Sequence, residues 1–279
     1  MSFISDWIAR AVRRELRRFD AERGASAALR EQVRIALAAT PRFQDGRRLL
    51  RFEHQVFSQG GEDGAIREIF RRIGEGTRRF VELGAGNGLE NNTTFLLQQG
   101  WSGAWIEGDR RNCDAIRRKF HARMASGELV LVGVFVDVQN AANHLPEWAR
   151  SEEFDLLSLD LDRNTLPIWQ AIGALRPRVI VVEYNAVWPA DMEYSVPYAA
   201  DRSWNGSSHF GASLKALEMH GRKIGYALVG CDSAGSNAYF VRSDLVADRF
   251  CEPFSAENHY EPIRYFLHAK EGHPRDVDG

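Results

Sequence analysis

The chain has 279 residues, 44% of them hydrophobic, and a formal net charge of −2, enough for one large α/β domain with additions and too balanced for a nucleic-acid binder. No apolar run approaches the roughly 20 residues that span a bilayer, and the N-terminus lacks the compact apolar core of a secretion signal. Cys113, Cys231 and Cys251 show no Cys-x-x-Cys spacing, so reduced thiols and a cytoplasmic location are expected.

Ile4, Trp7, Ile8, Ala11, Val12, Leu16 and Phe19 recur at helical spacing, with Arg10, Arg13, Arg14, Arg17 and Arg18 on the other face. A second helix is expected over 26–39, ended by Thr40-Pro41. The two form an N-terminal extension, 1–50, suited to packing on the main domain or on a second subunit in a homo-oligomer, with membrane-surface contact the weaker option. From Arg51 the pattern becomes alternating strands and helices, the signature of βαβ units and a parallel sheet. The main domain is set at 51–250 and a C-terminal tail at 251–279.

A helix over 64–73, with Asp63 as its N-cap, precedes a first strand, 79–83. Helix 92–99 leads to strand 103–107, and helix 113–122 to strand 129–136. Strand 155–161 comes fourth, helix 167–175 follows, and 179–184 is a dense β-branched run suited to a buried parallel strand. Helix 212–220 precedes two last strands, 226–231 and 238–242. The link between these, Asp232-Ser233-Ala234-Gly235-Ser236-Asn237, is too short for a crossover helix, which makes the pair an antiparallel hairpin.

The first strand runs into a glycine turn, Phe80-Val81-Glu82-Leu83-Gly84-Ala85-Gly86-Asn87-Gly88. Glycines let the backbone pass close to a ligand and aim free amides at it, so Gly84, Ala85 and Gly86 read as cofactor-binding. A dinucleotide fingerprint needs a small residue where Leu89 stands, which disfavours NAD. A carboxylate just before the first glycine, Glu82, suits a ligand with a cationic end, such as the sulfonium and ammonium groups of S-adenosylmethionine.

These features resemble the FkbM-like class I S-adenosylmethionine-dependent methyltransferases over residues 51–245. The resemblance rests on Phe57-Ser58-Gln59-Gly60-Gly61-Glu62-Asp63-Gly64, on 81–88 with Glu90-Asn91-Asn92-Thr93, on Trp105-Ile106-Glu107-Gly108-Asp109, on 155–162, on Val182-Glu183-Tyr184-Asn185 and on Phe210-Gly211-Ala212-Ser213-Leu214. It implies an α/β fold with a Rossmann-like class I methyltransferase sheet, mostly parallel with a C-terminal antiparallel hairpin. It further implies that Glu107, with Gly108, holds the ribose hydroxyls, that Asp137 and Val138 receive the adenine, and that Gln59 and Glu62 lie in a segment over the methionine end. Asp109 either touches the adenosine or caps the following helix, and Asn92 either caps a helix or reaches the cofactor.

An alcohol acceptor needs a general base or a Lewis-acid metal to take its proton. Asp160 and Asp162 are expected to end the fourth strand on one face, and Glu183 and Asn185 the fifth, a hard-oxygen set suited to Mg²⁺ or another divalent cation. Asp160 could equally orient the cofactor ammonium. His209, in a loop over the strand ends, is a further candidate base. The long connection 186–208 carries Tyr194, Tyr198 and Trp204, which suit stacking on a glycan or other small-molecule acceptor or, alternatively, a satellite core. The function expected is O-methylation of a hydroxyl on a saccharide or secondary metabolite. The alternative is a catalytically silent domain of the same fold that binds a glycan or protein partner.

Overall fold

The computed structural model describes residues 27–200, 202, 204–267 and 274–277. The Arg-rich stretch at residues 4–19 lies outside them. The chain divides into two compact units, Met1–Asp45 and Gly46–Gly279. In the first, residues 27–38 are helical, and the backbone turns extended at Thr40 (ψ 148°) before a short helix at Pro41–Gln44. Among the described residues no helix is long and apolar enough to cross a membrane.

The second unit holds the sheet. Helix α1 (Glu62–Ile73) precedes β1 (Arg79–Leu83); α2 (Thr94–Gln98) leads to β2 (Ser102–Glu107), and α3 (Arg110–Lys119) with a further short turn to β3 (Leu129–Gly133). β4 (Phe154–Leu159), α4 (Thr165–Ala171), β5 (Pro177–Glu183), α5 (Leu214–Lys223), β6 (Tyr226–Cys231) and β7 (Asn237–Arg242) follow. The seven strands lie in the order β3-β2-β1-β4-β5-β7-β6. β1 to β5 pair in parallel, while β7 is antiparallel to both β5 and β6. This is the Rossmann-like sheet with a terminal antiparallel hairpin that the sequence predicts. The hairpin turn is closed by Asp232, whose two carboxylate oxygens accept from the amides of Ser236 and Asn237, both at 2.8 Å.

Both faces of the sheet are covered, so the strands read as apolar runs rather than alternating ones. Val81 and Leu83 pack with Ile106, Leu157 and Leu159 on one face; Phe80 packs with Trp105, Leu156 and Tyr239 on the other. Two strands end two or more residues earlier than expected. β3 stops at Gly133 because its partner β2 ends at Glu107, opposite it. β4 stops at Leu159, opposite the end of β1 at Leu83, so Asp160 and Asp162 lie in the turn beyond the strand rather than on its pleat. Strand order reverses between β1 and β4, and the crevice at their C-terminal ends is where open α/β sheets bind ligands.

Candidate functional site

The glycine turn forms one wall of this crevice. Gly84, Gly86 and Gly88 all have positive φ, at 85°, 56° and 80°. Gly84 is fixed by contact as well as conformation: a Cβ there would lie 1.8 Å from the backbone oxygen of Asp160. A Cβ on Gly86 would meet nothing within 4 Å, so its α-carbon borders open space. Ala85 is buried beneath them.

Glu107 ties this turn to the next. Its Oε2 accepts from the Gly86 amide and its Oε1 from the Asp109 amide, both at 2.7 Å, and the residue is 7% exposed. Each oxygen keeps acceptor capacity for a hydroxyl donor. Asp109 is resolved as a cap, its Oδ1 accepting from the amides of Arg111 and Asn112 at the start of α3. Gly108 is exposed beside Phe135.

Glu82 corrects an expectation. Side chains alternate along β1, and Glu82 falls with Phe80 on the α1/α2 face rather than with the crevice-lining backbone. Its oxygens accept from Asn91 Nδ2 (2.6 Å), the Asn92 amide (2.9 Å), Thr93 Oγ1 (2.5 Å) and Ser158 Oγ (3.0 Å). With four donors filled and 1% exposure, this carboxylate shapes the 91–93 segment and is not available to a ligand ammonium. Burial raises its pKa against those hydrogen bonds. Asn92 joins the same network, donating from Nδ2 to Ser158 Oγ at 3.1 Å, and α2 accordingly starts two residues later than predicted, at Thr94.

The segment before β1 is likewise held from within. Asp63 is not the cap of α1, which begins at Glu62 after Gly61; instead its Oδ2 accepts from the amides of Val56, Phe57 and Ser58 and folds them into a tight loop. Glu62 is fully buried, accepting from the Gly60 amide (2.7 Å) and from Asn237 Nδ2 (3.0 Å). Gln59 is exposed at the loop tip.

Beyond β4 and β5, Asp160, Asp162 and Glu183 bring one carboxylate oxygen each to within 4.8 Å of one another. The convergence comes from the turn, where Asp162 adopts a left-handed φ of 50°, and not from a shared strand face. Burial, then Asp162, Glu82, Glu62 and Glu107, push Asp160 up to about 7. Burial and the two aspartates raise Glu183 well above the usual range, and burial raises Asp162. Glu183 Oε2 is buried without a hydrogen-bond partner among the described residues. Asn185 does not join this group. It is fully buried, its Nδ2 donates to the carbonyls of Ser208 and Phe210, and its Oδ1 accepts from the Val187 amide, so it braces the long loop instead.

That loop lies along the crevice. Its Ala199 carbonyl accepts from Asn164 Nδ2 at 2.9 Å, and Tyr198 Oη accepts from the Val138 amide at 3.4 Å, reaching the turn predicted to receive adenine. Asp137 closes that turn through Oδ1, which accepts from the amides of Gln139 and Asn140. Tyr194 stacks on Trp188 with ring centroids 4.0 Å apart, a packing role, whereas Tyr198 and Trp204 are 37% and 49% exposed. His209 is exposed.

Sequence reasoning missed the C-terminal segment 256–267. Tyr184 Oη donates to the Glu261 carbonyl (2.7 Å), Tyr260 Oη to the Ala186 carbonyl (2.6 Å) and the Arg264 amide to the Ala234 carbonyl (2.7 Å), strapping it over the hairpin turn and the end of β5. Tyr265 on this strap is 42% exposed. The aromatic pair Tyr265-Phe266 was the available signal.

No family model matches this sequence, and no curated protein matches it either. Among solved structures it resembles the pyocyanin biosynthetic protein PhzM at 16% identity and TM-score 0.37, over 63% of this chain and 54% of that one. It also resembles the N-terminal domain of EvdMO1 with SAH bound, at 17% and 0.41 over 68% and 81%. A third is NcsB1, an O-methyltransferase from neocarzinostatin biosynthesis in complex with S-adenosylmethionine and 2-hydroxy-5-methyl naphthoic acid, at 17% and 0.37 over 60% and 49%. The chain thus spans about half the length of PhzM and of NcsB1. Likenesses this remote assign no activity, and the Rossmann-like sheet stands on its own strand order.

Proposed function

We propose that this protein is a class I S-adenosylmethionine-dependent O-methyltransferase of FkbM-like type, acting on a hydroxyl of a saccharide or secondary metabolite. The observation that carries the reading is the meeting, at the β1–β4 switch point, of the Gly84–Gly88 turn, Glu107 and the Asp160–Asp162–Glu183 cluster. The field of the crevice is acidic, since Asp160 senses Asp162, Glu82, Glu62 and Glu107. Such a field attracts a cationic ligand and repels the phosphates of a dinucleotide.

S-adenosylmethionine supplies a methyl group on a sulfonium sulfur. Glu107 would hold the ribose hydroxyls, the Gly86 turn would pass along the adenosine, and Asp137 with Val138 would border the adenine. Asp160, Asp162 and Glu183 form an all-oxygen donor set, and the unpartnered Glu183 Oε2 fits them to a hard divalent cation such as Mg²⁺. A cation held there would acidify a coordinated alcohol. Without one, Asp160, raised to about 7, is the group poised to take the hydroxyl proton near neutral pH. Tyr198 and Trp204 on the long loop, and Tyr265 on the strap, offer the exposed aromatic surface for an acceptor. The three cysteines are buried and free, in keeping with a reducing cytoplasm.

The test is transfer of a tritiated methyl group from S-adenosylmethionine to a panel of hydroxylated saccharides and secondary metabolites, with Mg²⁺ or with EDTA. A labelled ether product is expected; its loss in EDTA assigns removal of the proton to a bound cation, and its persistence assigns it to Asp160. Labelling only of amine or thiol controls would refute the hydroxyl assignment.

A further inference from the structure

The turn beyond β4 does more than gather the triad. Its consecutive residues Asp162, Arg163 and Asn164 each meet the long loop that follows β5. A Cβ on Gly211 would lie 3.3 Å from the Asp162 carbonyl oxygen. Arg163 Nη2 donates to the Pro197 carbonyl at 3.2 Å. Asn164 takes both main-chain groups of Ala199: its Nδ2 donates to the carbonyl at 2.9 Å, and its Oδ1 accepts from the amide at 3.3 Å.

Asn164 stands immediately before α4, where an asparagine ordinarily caps the helix by accepting from one of its first free amides. Its side chain makes no such bond. At 5% exposure, it spends its amide on Ala199 instead, pairing with that residue as a neighbouring strand would. An aspartate could accept from the Ala199 amide but could not donate to its carbonyl, and an alanine could do neither.

The arms of the loop are held by other bonds. The Val196 amide donates to the Gly211 carbonyl (3.0 Å) and the Ser213 amide to the Tyr194 carbonyl (2.8 Å), around an antiparallel bridge between Ser195 and Ala212. That pairing stops at Val196, so the next three residues depend on the turn beyond β4. Their outer contact is Tyr198 Oη, which accepts from the Val138 amide at 3.4 Å. In the same turn after β3, Asp137 Oδ1 takes the amides of Gln139 and Asn140, leaving that of Val138 to Tyr198. Residues 197–199 therefore link the triad turn to the turn after β3.

We propose that Asn164 is a positioning residue: by pairing with Ala199 it seats the 197–199 segment on the triad turn and holds Tyr198 against Val138, making that segment a wall on the adenosine side of the crevice. The cofactor half of this inference rests on the function proposed above. The seating itself is independent of any ligand.

Amide hydrogen exchange tests the seating. In Asn164→Ala, protection should fall about tenfold at Ala199 and about fivefold at Val138, a residue Asn164 does not touch. Val196 and Ser213, in the arms, and Ile168, whose amide donates to the Asn164 carbonyl, should stay within about twofold. Tyr198→Phe should expose Val138 and leave Ala199 protected. Asn164→Asp should repeat both losses in smaller measure, and it decides the matter if the alanine variant does not fold. Unchanged Val138 exchange in the Asn164 variants, or loss at Ile168 without loss at Ala199, would reduce Asn164 to a part of α4 and overturn the proposal. Affinity for S-adenosylhomocysteine should fall about fivefold in Asn164→Ala and in Tyr198→Phe. Wild-type affinity in both would overturn the wall. Absence of binding to the wild type would instead refute the cofactor reading, with exchange still deciding the seating.

Discussion

Gly84→Ala is expected to lose about 3 kcal/mol or more of stability, because a left-handed φ and a backbone clash act together there. The new methyl would meet the Asp160 carbonyl, and that residue cannot retreat freely since the Asp160 amide donates to the Leu83 carbonyl at 3.0 Å. Gly86→Ala provides the control. It shares positive φ but meets nothing within 4 Å, so strain alone should cost about 1 kcal/mol. Urea unfolding measures both. Equal losses would show that the close approach of β1 to the Asp160 turn is not what fixes glycine at position 84.

Manganese binding separates the triad from its neighbours. Mn²⁺ titrated into the protein and followed by electron paramagnetic resonance should report one site, weakened about tenfold or more in Glu183→Gln. Asn185→Ala should leave that affinity within about twofold while lowering thermal stability, because Asn185 holds the carbonyls of Ser208 and Phe210. Wild-type-like Mn²⁺ affinity in Glu183→Gln, or its loss in Asn185→Ala, would remove the cation assignment.

The fold was legible because its signals are local. The apolar runs of β1, β4 and β5 mark a sheet buried on both faces, and the short Asp232–Asn237 link admits only a hairpin. The positions of the glycine turn after β1 and of Glu107 at the end of β2 were legible for the same reason, since strand ends are visible in the sequence. Glu82 was misjudged although its alternation with Val81 and Leu83 was readable; what the sequence did not carry was that Asn91, Thr93 and Ser158 would fill its oxygens. The triad was assigned for a reason that does not hold, strand pleating, when a left-handed residue at Asp162 turns the chain back. Asn185 is an oxygen donor by type, and only the position of the Ser208–Phe210 loop shows that its amide is committed. The strap at 256–267 has no periodic pattern, and its ties, such as Tyr184 to Glu261 and Arg264 to Ala234, are contacts between residues far apart in the chain.

The most direct test of the central claim is calorimetric titration with S-adenosylhomocysteine, with NAD as control, on the wild type and Glu107→Ala. The account predicts micromolar binding of the sulfur ligand, none of NAD, and a loss of about 30-fold or more in the variant, the value of charge-assisted hydrogen bonds to two hydroxyls. Undetectable binding of S-adenosylhomocysteine to the folded wild type, or unchanged affinity in Glu107→Ala, would contradict it.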